Sequence, residues 1–337
     1  MLQFSRFVGM RFVMAIITLL TVSFIVFSLM ELVPANCAER YLAFKNSQGS
    51  QISVSDIRTE EIRMGLDKPY VIRWVNWVSD VFIRGDFGTS CILRVRVNDL
   101  LGTKFWISLG ICLTSLIVAY IVAIPVGIYS ATTDRAGLNN VLRFVSYLGL
   151  AMPNFLLALM IMLASTVLFG DSLTGLFSKE YRDAAWSVDR FLNFMSRAWL
   201  PVFILGWSAT AFALQTVRAL MADEYGKLYV TAARARGLAG AQLLMRYPAR
   251  HALGPIINSL GFDLNRIFNE LPIIALILTL TEAGALLFDA LARSNDQQLA
   301  GAIIFMLTAS IIGLNFFTDI LLALFDPRVR RGIMGNA

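Results

Sequence analysis

Apolar residues in this chain come in long, nearly unbroken runs, not in the alternating pattern of a half-buried strand. A helix needs roughly 20 apolar residues to cross a bilayer. Six runs reach that length, at about 12–34, 105–130, 141–170, 198–217, 256–288 and 299–325. Each must be helical, because lipid offers an open backbone no hydrogen-bond partner. The expected fold is an all-α membrane protein with six transmembrane helices and both termini cytoplasmic, and an extracytoplasmic loop domain between the first two helices. The corresponding segments are 1–34 (first helix), 35–104 (loop domain), 105–325 (five-helix core, with a loop at 218–255) and 326–337 (tail). The first run follows Arg6 and Arg11. It exceeds the roughly 7–15 residues of a signal-peptide core and lacks a small-residue cleavage site, so it reads as an uncleaved span.

The polar segments set the orientation. Arg6 and Arg11, then Arg135 and Arg143, then Arg218, Lys227, Arg234, Arg236, Arg246 and Arg250, and finally Arg328, Arg330 and Arg331 all fall on one side of a six-span chain. Excess Lys and Arg marks that side as cytoplasmic. Residues 35–104, by contrast, hold ten Lys/Arg and eight Asp/Glu. Within them "YVIRWVNWVSDVFIRGDFG" places Val71, Trp74 and Val78 at helical spacing, as in a helix lying against the outer membrane face.

Composition agrees. The chain is 57% hydrophobic and 15% charged, against about 25% charged in ordinary soluble domains. Its net charge of +6 lies in short loops beside apolar runs, which suits a bilayer and not a nucleic acid. Cys112 sits inside an apolar run. Cys37 and Cys91 share one polar stretch, so a disulfide can form there in an oxidising compartment; two free thiols are the alternative.

Catalytic chemistry is poorly supplied. There is no G-x-x-x-x-G-K-[ST] phosphate loop, so the chain is not expected to hydrolyse ATP. The single histidine, His251, and the lack of an H-E-x-x-H or G-x-S-x-G pattern argue against a metal site or an intramembrane enzyme. In the fifth run, Asp263, Arg266 and Glu270 share one helix face. They line a solute path or clasp one another, and a clasp can also line a path. Pro125, Pro153 and Pro272 are candidate kinks. Asn315 and Asp319, one turn apart, can bond to a neighbouring helix.

The stretch "DEYGKLYVTAARARGLAGAQLLMRYPARHALGP" predicts a helix from Tyr225 to Arg236, a left-handed cap at Gly237, and a second short helix from Ala239 to Tyr247 stopped by Pro248. Small Ala232, Ala233 and Ala235 let another surface approach closely, and Arg234 and Arg236 add directional charge. The plain alternative is a basic loop that only fixes topology.

This stretch resembles the coupling loop of the inner-membrane permease subunits of ABC importers. That family's pattern is an E-A-A core, a glycine a few residues on, and an apolar-proline end. Here the core reads "TAARARGL", with Thr231 in the glutamate position and Ala232, Ala233, Gly237 and Leu238 on family positions; "ALGPII" closes it. Further pieces resemble the dipeptide/oligopeptide branch: "MGLDKPYVIRWVNWV", "RGDFGTS" with its turn residues Gly85, Asp86, Gly88 and Thr89, "AIPVGIYSA", "GLAMPNFLLAL" and "NFFTDILLALFDPRVRRG". One departure is "TLTEAGALLFDAL", where the family's "E-x-x-F-x-W-P-G-L-G" is reduced to Gly284 without its tryptophan and proline.

The resemblance implies a non-catalytic subunit, paired with a second, distinct permease chain, two ATPase subunits and an extracytoplasmic solute-binding protein in a bacterial cytoplasmic membrane. Tyr229, Thr231, Ala232, Ala233, Arg234, Arg236, Gly237 and Leu238 would meet the ATPase. ATP and Mg would bind the partners, and no cofactor this chain. A stand-alone channel or secondary transporter is the competing reading.

Overall fold

With lipid unable to satisfy the backbone, the chain folds into helices. The computed structural model describes residues 2–32, 35–49, 53–170, 173–178, 180–182, 184–280, 283–294 and 296–325. Among them are thirteen α-helices, two five-residue π-turns and one isolated bridge, Thr89 to Arg96. The basic tail with Arg328, Arg330 and Arg331 lies outside the described residues.

The helices are α1 (Leu2–Leu32), α2 (Cys37–Ser47), α3 (Val54–Met64), α4 (Tyr70–Ser79), α5 (Val97–Thr132), α6 (Ala136–Ala151), α7 (Asn154–Phe169), α8 (Val188–Tyr225), α9 (Leu228–Ala235), α10 (Gly240–Arg246), α11 (Pro248–Ile277), α12 (Ala283–Phe288) and α13 (Gln297–Phe325). Four of them, α1, α5, α8 and α13, are long and apolar enough to cross a membrane; α6 and α7 together make a fifth if the bent pair is one span. The expected six are therefore not all matched by length and composition. The fifth expected run, α11, is 30 residues long but carries Asp263, Arg266 and Glu270. It ends at Ile277, not near 288, and Thr279 has a positive φ of 49° before α12 begins.

The expected third span is two helices meeting at 102°. Pro153 has no amide donor, and it forces the preceding residue out of the helical region. Met152 is accordingly extended (φ −96°, ψ 119°). Pro125 and Pro272, expected as kinks, stay inside α5 and α11. In α5 the break falls instead at Gly102 (φ 38°, ψ −124°).

The chain divides into two compact units. The first comprises Met1–Gly9, Leu109–Leu280 and Leu314–Ala337. Within it α8 packs on α6, α7 and α11, and α7 also meets α11. Ile204, Leu205 and Val217 of α8 and Ile267, Leu271 and Ile274 of α11 are fully buried there. Asn315 of α13 presses on α11 at Gly261, where an added Cβ would overlap its Oδ1. Asn315 therefore meets a neighbouring helix by close packing against a glycine.

The second unit comprises Met10–Ser108 and Thr281–Gly313. Capping boxes open α2 (Asn36 with Glu39) and α3 (Ser53 with Asp56). Each satisfies two otherwise orphaned donors. Helix α4 packs on α1 through Tyr70, Trp74 and Trp77 against Phe24 and Phe27. Of the expected apolar face, Trp74 takes part in this packing and Val71 is exposed.

Candidate functional site

Two constellations of the first unit carry the residues expected in the coupling loop and the solute path. The first is a two-helix hairpin. The helix expected from Tyr225 to Arg236 begins only at Leu228: α8 ends at Tyr225, and Lys227 leads into α9, which ends at Ala235. Gly237, at φ +88°, closes α9. Its N–H donates to the carbonyl of Arg234 (2.9 Å) and the N–H of Leu238 to that of Ala233 (3.3 Å). These are the paired bonds of a Schellman cap, for which glycine alone has no side-chain penalty. Helix α10 follows, and Pro248 opens α11 at a position where its missing donor costs nothing.

The hairpin has its own small core. Val230, Ala233 and Leu243 are buried, and Tyr225, Tyr229, Leu238 and Tyr247 pack around them. Ala233 thus faces inward and presents no surface to a partner, contrary to its expected place beside Ala232. Thr231, Ala232, Ala235 and Leu228 stay exposed, Leu228 at 87%. The basic residues are held in place: Arg234 lies over the Tyr225 ring (5.1 Å) and Arg236 donates to Tyr247 Oη (3.5 Å). Tyr229 donates to Glu224 (2.5 Å) and packs edge-on against His251 (5.5 Å). The Glu224 carboxylate, 2.5 Å from Lys227 Nζ, holds that ammonium above the usual lysine range.

The second constellation is the charged face of α11. Asp263 is buried. Arg266 Nη2 donates to its Oδ1 (3.0 Å), and Tyr120 Oη to its Oδ2 (2.5 Å). Ser259 joins through Tyr120 Oη (2.9 Å). Arg266 also lies 5.5 Å from the Phe212 ring. Glu270, one turn on, accepts from the buried amide of Asn154, which also donates to Ser208 Oγ (3.1 Å). The face therefore forms two anchoring points, Asp263 with Arg266 and Tyr120, and Glu270 with Asn154. A lone charge at mid-membrane costs roughly 2.5–3.5 kcal/mol on insertion scales, and here each has a partner. Tyr120 and Asn154 were missed in the sequence. The signal for Asn154 was its place just past Pro153, at the start of α7.

In the second unit the residues of the "RGDFGTSC" turn are tied down individually. Gly85 (φ +64°) ends the π-turn Asp80–Arg84, and Asp86 Oδ1 accepts from the Gly88 N–H (2.9 Å). Gly88 (φ +91°) lies against Gln298, and Thr89 forms the bridge to Arg96. Cys91 is bonded to Cys37, with Cα atoms 5.3 Å apart. Asp296 organises the turn. Fully buried, it accepts from Ser90 Oγ, from the N–H groups of Cys91 (3.1 Å) and Ile92 (3.4 Å), and from Leu299 N–H (3.0 Å) at the start of α13. It too was missed; an Asp just before an apolar run is a helix-start signal. No cluster of three or more metal-ligating side chains occurs among the described residues.

Long apolar helices, together with a basic, self-packed hairpin joining two of the long helices, mark a multi-pass membrane protein. Residues 123–331 match the family described as binding-protein-dependent transport system inner membrane component, and residues 2–95 match its N-terminal membrane-component family. The chain belongs to this family of inner-membrane transport components. Over 327 residues it is 26% identical to the oligopeptide transport system permease protein AppB of Bacillus subtilis, covering 96% of this chain and 99% of that protein. Over 320 residues it is 24% identical to the nickel import system permease protein NikB of Staphylococcus aureus, covering 95% and 90%. It is a permease subunit of an ABC importer, located in the inner membrane.

Proposed function

We propose that this chain forms half of a translocation path for peptides or a related polar solute. The path is completed by a second, distinct permease chain, fed by an extracytoplasmic solute-binding protein and driven by two ATPase subunits. ATP and Mg bind those subunits, and this chain carries no cofactor of its own. The names of the relatives, one for oligopeptides and one for nickel, support the solute class. The topology has six crossings, with α11 as the fifth and the α6–α7 pair as the third. The hairpin and both ends face the cytoplasm, and residues 35–104 face outward.

The hairpin carries the coupling role. Two short helices around a three-residue core, joined by a left-handed glycine, make a rigid knob with exposed Thr231, Ala232 and Leu228. A groove on an ATPase receives such a knob. Closure of the ATPase pair then shifts the spans between two states, by as much as the affinity for those states differs.

Gly237→Val tests this. A β-branched residue at φ +88° strains the cap. ATP-driven uptake by the whole complex should fall by about tenfold or more, the equivalent of roughly 1.4 kcal/mol, while the chain is still recovered from membranes. The ATPase should co-purify with the wild-type chain and less with the variant. Solute flux through the purified chain alone, in liposomes without ATP, would establish a stand-alone channel instead.

A further inference from the structure

Helix α4 lies deep for a loop helix. Tyr70 bonds Ser28 of α1 (2.5 Å), and Trp74 donates to Ser23 (3.3 Å). Glu31, the first charge after the apolar run of α1, pairs with Arg73. At about 1.5 Å per helical residue, Ser28 and Ser23 sit roughly 4.5 and 12 Å inward of Glu31. Interfacial helices bury themselves about 5–10 Å into the boundary between headgroups and acyl chains. Tyr70, Trp74 and Trp77 supply the aromatic residues common at that level. The other side of α4 and its π-turn is an apolar edge: Val71, Ile72, Val75, Phe82 and Ile83 are exposed, Ile83 at 79%.

Beside this helix, at the charged end of α1, lies a cavity of about 550 Å³. Its lining includes Glu31, Glu39, Lys68, Arg73, Asn76 and Trp77. Two carboxylates and two cations give that lining no net charge. Among the described residues the side chains of Lys68 and Asn76 have no partner, and Lys68 is exposed. The volume lies in the range of ligand sites.

We propose that this cavity holds a zwitterionic phospholipid headgroup, of the phosphoethanolamine type. Lys68 and the outer face of Arg73 take the phosphate, and Glu31 and Glu39 the ammonium. The acyl chains run down the apolar edge of α4. An anionic headgroup meets the same cations but brings no ammonium to the two carboxylates. A free peptide shares the zwitterionic chemistry, but the cavity's place at the headgroup end of α1 and the apolar edge beside it favour lipid. Only the choice of the outer leaflet rests on the topology proposed above; headgroup binding does not.

The test is lipid retention by the purified full-length chain in detergent, read by native mass spectrometry after adding phosphatidylethanolamine, phosphatidylglycerol or dialanine. Phosphatidylethanolamine should bind at least about fivefold more tightly than phosphatidylglycerol, and Lys68→Glu should weaken it by about tenfold, because the reversed charge repels the phosphate. Asn76→Leu, which leaves every charge in place, should weaken it less than Lys68→Glu. Equal binding of the two lipids, or binding indifferent to Lys68→Glu, overturns the proposal. Dialanine bound in a Lys68-dependent way without retained phosphatidylethanolamine assigns the cavity to soluble zwitterions and overturns it too. Failure on any arm leaves the importer reading untouched, because uptake is not the readout.

Discussion

Arg266→Glu is expected to reduce folded protein recovered from membranes by about tenfold or more, while Arg135→Glu leaves it within about twofold. The difference lies in what each arginine faces. Arg135 is exposed and forms no ion pair among the described residues. Arg266 holds the buried Asp263 at 3.0 Å, with Glu270 one turn further along the same face. Removing one partner of a buried pair costs about 3–5 kcal/mol, because the other charge is left uncompensated; glutamate then adds a third carboxylate. Tyr120 and Asn154 each bind only one of the existing carboxylates and cannot absorb another. Recovery measured by fluorescence-detected size exclusion decides the matter. The exchanged pair Asp263→Arg with Arg266→Asp should regain part of the loss if the two act as a unit, since such coupling appears as non-additivity. Equal and mild losses for Arg266→Glu and Arg135→Glu would mean that the charged face is not buried in the working protein.

Asp296→Ala has the second large effect, in the other unit. It strands the Ser90 hydroxyl and the N–H groups of Cys91, Ile92 and Leu299 at once. A buried donor without an acceptor costs about 1–3 kcal/mol, so the loss should reach several kcal/mol even if some of the four find water. The expected reading is a marked fall in Tm of the purified chain, followed by tryptophan fluorescence, with Asp296→Asn intermediate because its amide keeps one acceptor oxygen. The Cys37–Cys91 bond remains in both variants and limits how far the turn can open. Identical Tm values for Asp296→Ala and wild type would show that the turn is held by the disulfide alone.

These two sites show where the sequence was readable and where it was not. Long apolar runs announced the helical membrane fold, and Gly237 announced its cap, because both signals are local. The charged face of α11 was visible through its i, i+3 and i+4 spacing. Its partners were not: Tyr120 and Asn154 are distant in sequence, 143 and 116 residues from Asp263 and Glu270, and neither polarity nor spacing names a residue that far away. Ala233 was misjudged for a related reason. In an eight-residue helix, one step of 100° decides whether a small residue faces a partner or its own hairpin core. Of the expected face of α4, Trp74 packs on α1 together with Tyr70 and Trp77, while Val71 stays exposed. Pro153 was seen, but a 102° turn exceeds what a proline kink alone suggests; the extended Met152 completes it.

That turn governs parity. Counted as one transit, the bent pair makes four passes between Ser5 and Thr231, so cysteines placed at the two positions share a compartment. Counted as a dip that re-emerges where it entered, it makes three, and the same two cysteines lie on opposite sides. An impermeant maleimide applied to sealed vesicles, then to lysed ones, reads an even or an odd number directly. The even outcome puts Ser5 and the hairpin in the same aqueous phase; the odd outcome parts them by the whole thickness of the bilayer.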